Sequence, residues 1–146
     1  MKKILLVIIM FFCSTAMAAE NRDNLFIYIQ DEQPGKETKF LLYNQQKIFY
    51  QEPAILTDKD VIAVYEKYNS HMSRNMTTIE FADVDKVHKL TKDNVHKLLI
   101  IAVNSEVVCV ARLMAEITDG KMSVLDTSPT TDLVAKITKI ISNRNH

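Results

Sequence analysis

The chain has 146 residues, 18 basic and 18 acidic, and contains only two glycines. Balanced charge argues against nucleic acid or an anionic membrane surface as the partner, because either calls for a basic excess or a basic cluster. The glycine-rich loops that cradle phosphates in common nucleotide-binding folds are also missing. We therefore expect a protein that binds neither nucleic acid nor a nucleotide cofactor.

The N-terminus has the three regions of a secretory signal peptide. Lys2 and Lys3 provide the positive start, residues 4–12 form an apolar run, and Ala16-Met17-Ala18 forms a cleavage site. The apolar run is well short of the roughly 20 residues that span a bilayer. No later segment approaches that length. The sequence predicts cleavage after residue 18 and export to the periplasm, with no transmembrane segment in the mature chain.

Removing 18 of the 146 residues leaves 128, a length that suits one domain over residues 19–146. Cys13 is not expected to carry a lipid, because Phe11 and Phe12 stand where lipidation signals need small residues. Cys109 is then the only cysteine, so no intramolecular disulfide is possible. Its apolar surroundings predict a small buried hydrophobe in a strand, with intermolecular pairing left open.

The first part of the mature chain is rich in strand formers. Residues 24–30 predict a strand, and Pro34-Gly35 marks a turn after it. Residues 39–43 and 47–50 are two further predicted strands, which form a hairpin.

A helix is predicted next, over residues 58–69. Thr57 provides an N-cap, and Asp58 and Asp60 fall in the first turn, where acidic groups complement the helix dipole. Apolar residues follow at helical spacing: Val61, Val64, Tyr65 and Tyr68. The polar residues 69–75, with His71, predict a loop, and alternation over residues 76–81 predicts a half-buried strand.

The second predicted helix starts at a cap, Asp83, and ends near Asn94, with an apolar stripe of Val84, Val87 and Leu90. Residues 98–103 are continuously apolar, which indicates a central strand covered on both faces. Residues 106–112 are predicted to pair with it across Asn104-Ser105.

In the C-terminal part, the sequence predicts a strand over residues 122–125 and then a last helix, whose start is indicated by residues 129–132. The helix has a core-facing stripe: Leu133, Val134, Ile137, Ile140 and Ile141. Together the elements predict an α+β domain, a mostly antiparallel sheet with about three helices packed on one face.

Several of these segments resemble the periplasmic head domain of SecD, a subunit of the bacterial preprotein translocase. The similar residues fall in two groups: Glu52-Pro53-x-Ile55-Leu56-Thr57-x-x-Asp60-Val61, and Leu90-Thr91, Asn94, the runs 98–103 and 107–111, and Ile117-x-x-Gly120. The resemblance implies the SecD head fold, an exported domain without evident catalysis, and a role in handling polypeptide chains. The family's Asp-Gly turn is replaced by Asn104-Ser105, and its Ala-Pro by Ala111-Arg112. Nothing in this chain replaces the membrane helices of SecD.

Catalytic chemistry has little support in the sequence. The histidines do not reproduce a zinc-site spacing, since His88 and His96 are eight residues apart. No Gly-x-Ser-x-Gly elbow is present for a nucleophile. The paired carboxylates Asp58-Asp60 and Asp83-Asp85 stand at predicted helix starts, where capping already explains them. We expect no enzyme activity, no metal and no cofactor.

Interaction chemistry has more support, near the end of the strand at residues 106–112. Arg112, Leu113, Met114 and Met122 fall at or beyond strand ends, and methionines make adaptable apolar contacts. We predict these four as binding residues, although core packing also explains Met114 and Met122. Five tyrosines offer an alternative aromatic patch, equally explained by burial: Tyr28, Tyr43, Tyr50, Tyr65 and Tyr68.

Two functional hypotheses follow. The first is a free-standing relative of the SecD head that binds another protein or an extended polypeptide in the periplasm. The second is a periplasmic inhibitor or immunity protein that neutralises one toxic enzyme through a standard interface of roughly 1,600 Å². Fold does not determine function, so the resemblance alone does not decide between them.

Overall fold

The computed structural model describes residues 22–125 and 132–144. The predicted signal peptide (residues 1–18) and Pro129 lie outside the described residues. Nine strands and two α-helices are described, with one short 3-10 turn at Asp58–Asp60. The strands are β1 Leu25–Ile29, β2 Phe40–Tyr43, β3 Gln46–Phe49, β4 Leu56–Thr57, β5 Val61–Asn69, β6 Arg74–Phe81, β7 Leu98–Val103, β8 Glu106–Arg112 and β9 Lys121–Val124; the helices are α1 Val84–Lys92 and α2 Leu133–Arg144.

The strands form one four-stranded sheet, one three-stranded sheet and one separate hairpin, and every described pairing is antiparallel. The predicted α+β class with mostly antiparallel sheets is therefore confirmed. Two α-helices are present where about three were predicted.

The four-stranded sheet has the order β4-β1-β7-β8. Four consecutive residues of β7, Leu99 to Ala102, are at most 2% exposed, so this strand is covered on both faces as its apolar sequence predicted. Its hairpin with β8 turns at Asn104-Ser105, where Asn104 adopts a φ of 57°. Asparagine tolerates this left-handed conformation, and the Asn104 side chain also accepts a hydrogen bond from the Asn24 N–H. The turn therefore forms without the Asp-Gly pair of the SecD head.

The three-stranded sheet has the order β5-β6-β9, and it corrects the helix predicted over residues 58–69. That segment is one 3-10 turn followed by the nine-residue strand β5, which pairs with β6 along its length. A bulge between Val61 and Ala63 shifts the alternation of side chains by one residue. Val61 and Val64 consequently share a face, although they are three residues apart, because they pair with Phe81 and Ile79. Because of this bulge, the core-facing residues Val61 and Val64 have the three-residue spacing that is typical of a helix.

The two α-helices agree with their predicted positions. Asp83 caps α1 by accepting a hydrogen bond from the Lys86 N–H at 2.9 Å, and α1 ends at Lys92, two residues before Asn94. Asp132 accepts a hydrogen bond from the Ala135 N–H at the start of α2. The buried side chains of both helices join the strands of both larger sheets in one hydrophobic core.

A polar joint connects the two larger sheets at Asp60, between β4 and β5. Its carboxylate accepts hydrogen bonds from Lys86 Nζ at 2.6 Å and from the Thr57 N–H at 2.8 Å. Arg144, at the end of α2, donates to the carbonyls of Asp58 and Val61 at 2.6 and 3.1 Å. The joint thereby fixes the chain where it passes from one sheet to the other, and ties α1 and α2 to that point.

Candidate functional site

The four residues predicted as binding residues lie around one cavity of about 250 Å³. Arg112 ends β8, Leu113 and Met114 follow it, and Met122 belongs to β9. The cavity is lined by Leu99, by residues 111–117 and by all four residues of β9. It is smaller than the roughly 300–1,000 Å³ of pockets for drug-sized ligands, and its size suits an apolar side chain better than a cofactor. This cavity is called the β8–β9 cleft below.

The segment from Leu113 to Gly120 forms one wall of the cleft and is held in place by the core. Leu113 extends the pairing of β7 and β8, since its N–H donates to the Lys97 carbonyl at 3.0 Å. Thr91, fully buried at the end of α1, accepts a hydrogen bond from the Ile117 N–H at 2.9 Å. Gly120 closes the segment with a φ of 70°, and its carbonyl accepts from the Phe81 N–H. The wall is thus attached to β7, α1 and β6.

The cleft presents a buried apolar floor and one exposed methionine. Leu113 and Met122 are 5% and 2% exposed, whereas Met114 is 69% exposed. Core packing therefore explains Met122 but is wrong for Met114. A methionine exposed to water beside this cavity offers a flexible contact surface that adapts to different side chains.

The charged groups around the cleft already have partners. Arg112 Nη1 donates to the His96 carbonyl at 2.6 Å, and Glu116 lies 3.1 Å from His88 Nε2. Lys121 Nζ lies 3.8 Å from a carboxylate oxygen of Glu80. Each of these charged side chains therefore has a polar partner at the rim of the cleft.

A second surface was missed by the sequence analysis, on the separate hairpin β2–β3. Phe40 and Leu42 are 42% and 61% exposed, and Lys47 Nζ lies 4.3 Å from the centre of the Phe40 ring. A cleft of about 650 Å³ separates this hairpin from the β7–β8 turn. The apolar run Phe40-Leu41-Leu42 could have predicted this surface. A strand with apolar residues on both faces leaves one face exposed unless another element covers it.

The five tyrosines do not form one patch. Tyr28 and Tyr50 pack with ring centres 4.4 Å apart, and burial, with the nearby Tyr50, raises the pKa of the Tyr28 hydroxyl. Tyr65 and Tyr68 lie on β5 in the other sheet, where Tyr68 is 62% exposed. Tyr43 lies on β2 in the separate hairpin, so the predicted aromatic alternative is not one patch but is divided among different parts of the fold.

One member of each candidate carboxylate pair has a structural role. Asp83 caps α1, and Asp60 occupies the polar joint, where partial burial opposes its ionisation but hydrogen bonds from Lys86 and Thr57 lower its pKa overall. Cys109 is buried in β8, as predicted. Within residues 22–125 and 132–144, no three His, Cys, Asp or Glu side chains are grouped as metal ligands.

Neither helix in the part of the chain that the structure describes combines the length and the apolar character needed to cross a membrane.

Comparison with known proteins gives a structural likeness but no sequence relative. No protein-family model and no curated protein matches the chain. A crystal structure of SecDF in a super-membrane-facing form matches with a TM-score of 0.59 and 17% identity, over 82% of this chain and 18% of that chain. A structure of SecDF as a membrane component that enhances protein export matches with a TM-score of 0.58 and 16% identity, over 82% of this chain and 62% of that chain.

The present chain thus spans less than two thirds of either SecDF chain, and the likeness at these identities is one of fold. It confirms the resemblance drawn from the sequence: this chain has the α+β fold of the periplasmic region of SecDF.

Proposed function

We propose that this protein is a non-catalytic module that binds other proteins or extended polypeptides in the periplasm. The observation that carries the proposal is the β8–β9 cleft, a cavity with an apolar floor and a polar rim, with the exposed Met114 at its side. An exposed methionine offers a flexible apolar contact that can accept varied apolar side chains.

The fold supports the same conclusion. SecDF, whose periplasmic region has this fold, is a membrane component that enhances protein export. We infer that a domain of this fold holds or presents a polypeptide chain. The aspartates most suited to acid–base chemistry serve as a helix cap and in the polar joint, which supports a binding role over an enzymatic one.

Export is tested by expressing the full chain with a C-terminal tag in a Gram-negative host. We expect the tagged protein in the periplasmic fraction, with an N-terminus at Ala19. Retention in the cytoplasm with residues 1–18 still attached would contradict this part of the proposal.

Binding is tested by fluorescence anisotropy with a labelled protein that is kept unfolded by reduction and carboxymethylation, and with the same protein in its folded form. We expect micromolar binding of the unfolded form only. Met114→Glu should weaken binding by about tenfold, because it places a charge beside an apolar site.

Met72→Glu is the matched control, since Met72 is also exposed, at 48%, but lies at the β5–β6 turn, away from the cleft. It should leave binding unchanged. Absence of binding to unfolded protein, or equal effects of both variants, would overturn the proposal.

A second candidate function, inhibition of one folded toxic enzyme, is favoured by the exposed Phe40 and Leu42 on the hairpin β2–β3. Apolar side chains on such a surface suit a tight interface with one partner. In affinity purification from periplasmic extract, this function predicts one stoichiometric folded enzyme that is lost in a Phe40→Ser, Leu42→Ser double variant. The chain-binding function instead predicts many substoichiometric proteins, reduced by Met114→Glu.

A further inference from the structure

The β8–β9 cleft runs along the edge of a strand. All four consecutive residues of β9 line it, although successive side chains of a strand point to opposite faces. A cavity that touches every residue must therefore lie beside the strand rather than on one of its faces. β6 occupies one edge of β9, and within residues 22–125 and 132–144 no other strand pairs with it. The cleft thus lies at the unpaired edge.

The ladder between β6 and β9 tells which backbone groups point into the cleft. Phe81 donates its N–H to the Gly120 carbonyl at 3.0 Å, and the register then pairs Ile79 with Met122. Hydrogen-bonded pairs alternate along an antiparallel ladder, so Met122 and Val124 direct their backbone groups to β6. Lys121 and Ser123 direct theirs to the cleft.

One of these groups is already used, which leaves a defined site. The Lys121 N–H donates to the Asp119 carboxylate at 3.0 Å. Among residues 22–125 and 132–144, the Lys121 carbonyl and the N–H and carbonyl of Ser123 have no hydrogen-bond partner, so they can face an incoming ligand. An alternation of acceptor, donor and acceptor along one strand edge is complementary to the backbone of another strand.

We propose that an extended segment of another polypeptide binds in the β8–β9 cleft by pairing with β9 as an added strand, centred on Ser123, and inserts one large apolar side chain beside Met114. The inference rests on the proposed function and specifies its binding mode. Backbone pairing with one apolar anchor gives little sequence selectivity, as a binder of varied chains requires.

The test uses the purified wild-type protein and a labelled peptide, Lys-Thr-Val-Leu-Val-Thr-Lys, in two N-methylated forms. One form is methylated on Val, Val and the final Lys, the other on Thr, Leu and Thr, so that each loses the N–H donors of one edge only. Pairing on β9 uses one edge of the peptide. We therefore expect one form to bind about tenfold or more weaker than the unmodified peptide, and the other to bind within about twofold.

Two protein variants test the position on β9. Ser123→Pro removes the N–H that faces the cleft and should weaken peptide binding by about tenfold or more. Ser105→Ala, at the exposed β7–β8 turn and outside the lining of the cleft, is the control and should bind within about twofold of wild type. Circular dichroism of both variants verifies the fold, and the N-methylated peptides give an answer even where Ser123→Pro fails to fold.

The outcomes separate this inference from the proposed function. If the peptide binds and both N-methylated forms bind equally, strand addition is overturned while the binding function stands. If neither peptide nor unfolded protein binds, the proposed function fails as well. A concentration-dependent dimer in analytical ultracentrifugation that competes with the peptide would assign the edge to a second copy of this chain and overturn the inference.

Discussion

The two larger sheets share one core but are determined by different parts of the sequence. The four-stranded sheet is built around β7, whose side chains are buried on both faces from Leu99 to Ala102. The three-stranded sheet depends on particular residues at the two points where the chain enters it: the polar joint at Asp60, before β5, and the turn at Gly120, before β9.

This difference explains which sequence changes each sheet accepts. In the four-stranded sheet, the hairpin turn carries Asn104-Ser105 in place of the Asp-Gly of the SecD head, and the strands still pair from Leu98 to Val103, with one bulge where Ile101 pairs with Cys109 and Ala102 with Val107. Burial of β7 on both faces holds this strand in the core, because removing it would expose apolar surface. In the three-stranded sheet, the chain enters β5 at the hydrogen-bonded Asp60 and enters β9 at Gly120, whose φ of 70° few residues other than glycine adopt. The four-stranded sheet is therefore specified by its pattern of apolar residues, and the three-stranded sheet by individual residues, Asp60 and Gly120.

The largest effect is expected from removing buried volume in the four-stranded sheet. Ile101 is fully buried in β7, so Ile101→Ala should reduce the free energy of unfolding by about 2–5 kcal/mol. Ile62→Ala is the control in the other sheet, where Ile62 is 52% exposed, and should change it by about 0.5 kcal/mol or less. Chemical denaturation monitored by circular dichroism measures both. Equal losses in the two variants would contradict the view that burial defines the first sheet.

The same contrast shows how far the sequence predicts the fold. The sequence predicts β1, β7 and β8 from apolar runs and turn residues, because strands buried in the core consist mainly of apolar residues. β5 does not, because the bulge at Val61 and Ala63 places Val61 and Val64 on one face at a helix-like spacing. β-branched and aromatic residues in this segment favoured a strand, but the periodicity favoured a helix.

The sequence predicted which residues form the candidate site, but not how they are arranged in space or which of them are exposed. Arg112, Leu113, Met114 and Met122 do line one cavity, because β8 ends and β9 begins on either side of the segment 113–120. Which of them is exposed depends on the path from Leu113 to Gly120. That path is set by the long-range hydrogen bond from Ile117 to Thr91, which no local pattern encodes. The free edge of β9 was likewise not predictable, since it depends on the order of strands.

A second prediction concerns the turn that leads into β9. A Cβ added at Gly120 would lie 2.9 Å from Val84 Cγ2, and the φ of 70° is unfavourable for any residue with a side chain. Gly120→Ala should therefore reduce the free energy of unfolding by about 1–3 kcal/mol. Thermal denaturation provides the measurement.

The chain offers a matched control at its other glycine. Gly35 has only the Thr38 hydroxyl at 3.8 Å from an added Cβ, an ordinary contact distance. Gly35→Ala should be neutral or stabilise by up to about 1 kcal/mol, because it restricts the unfolded chain. A Gly120→Ala variant as stable as Gly35→Ala would show that the second sheet does not depend on this position.

The smallest expected effect is at the polar joint, and it depends on pH. Hydrogen bonds from Lys86 and Thr57 outweigh the partial burial of Asp60 and lower its pKa in the folded protein. A carboxylate with a lowered folded pKa stabilises above its unfolded pKa of about 3.9, and this contribution is lost as the pH falls through the folded value. Because Lys86 is largely in contact with solvent, screening limits the expected cost of Asp60→Asn at pH 7 to about 1 kcal/mol.

The pH profile separates this carboxylate from acidic residues with a lesser role. The difference in unfolding free energy between wild type and Asp60→Asn should be constant from pH 7 to about pH 5 and shrink below about pH 4. Asp85→Asn, at an exposed position in the first turn of α1, should cost less than Asp60→Asn at pH 7, because it loses only its interaction with the helix dipole. If both variants cost the same, Asp60 acts as one more surface charge. The entry into the three-stranded sheet would then be fixed by Arg144 and by the bulge rather than by the joint.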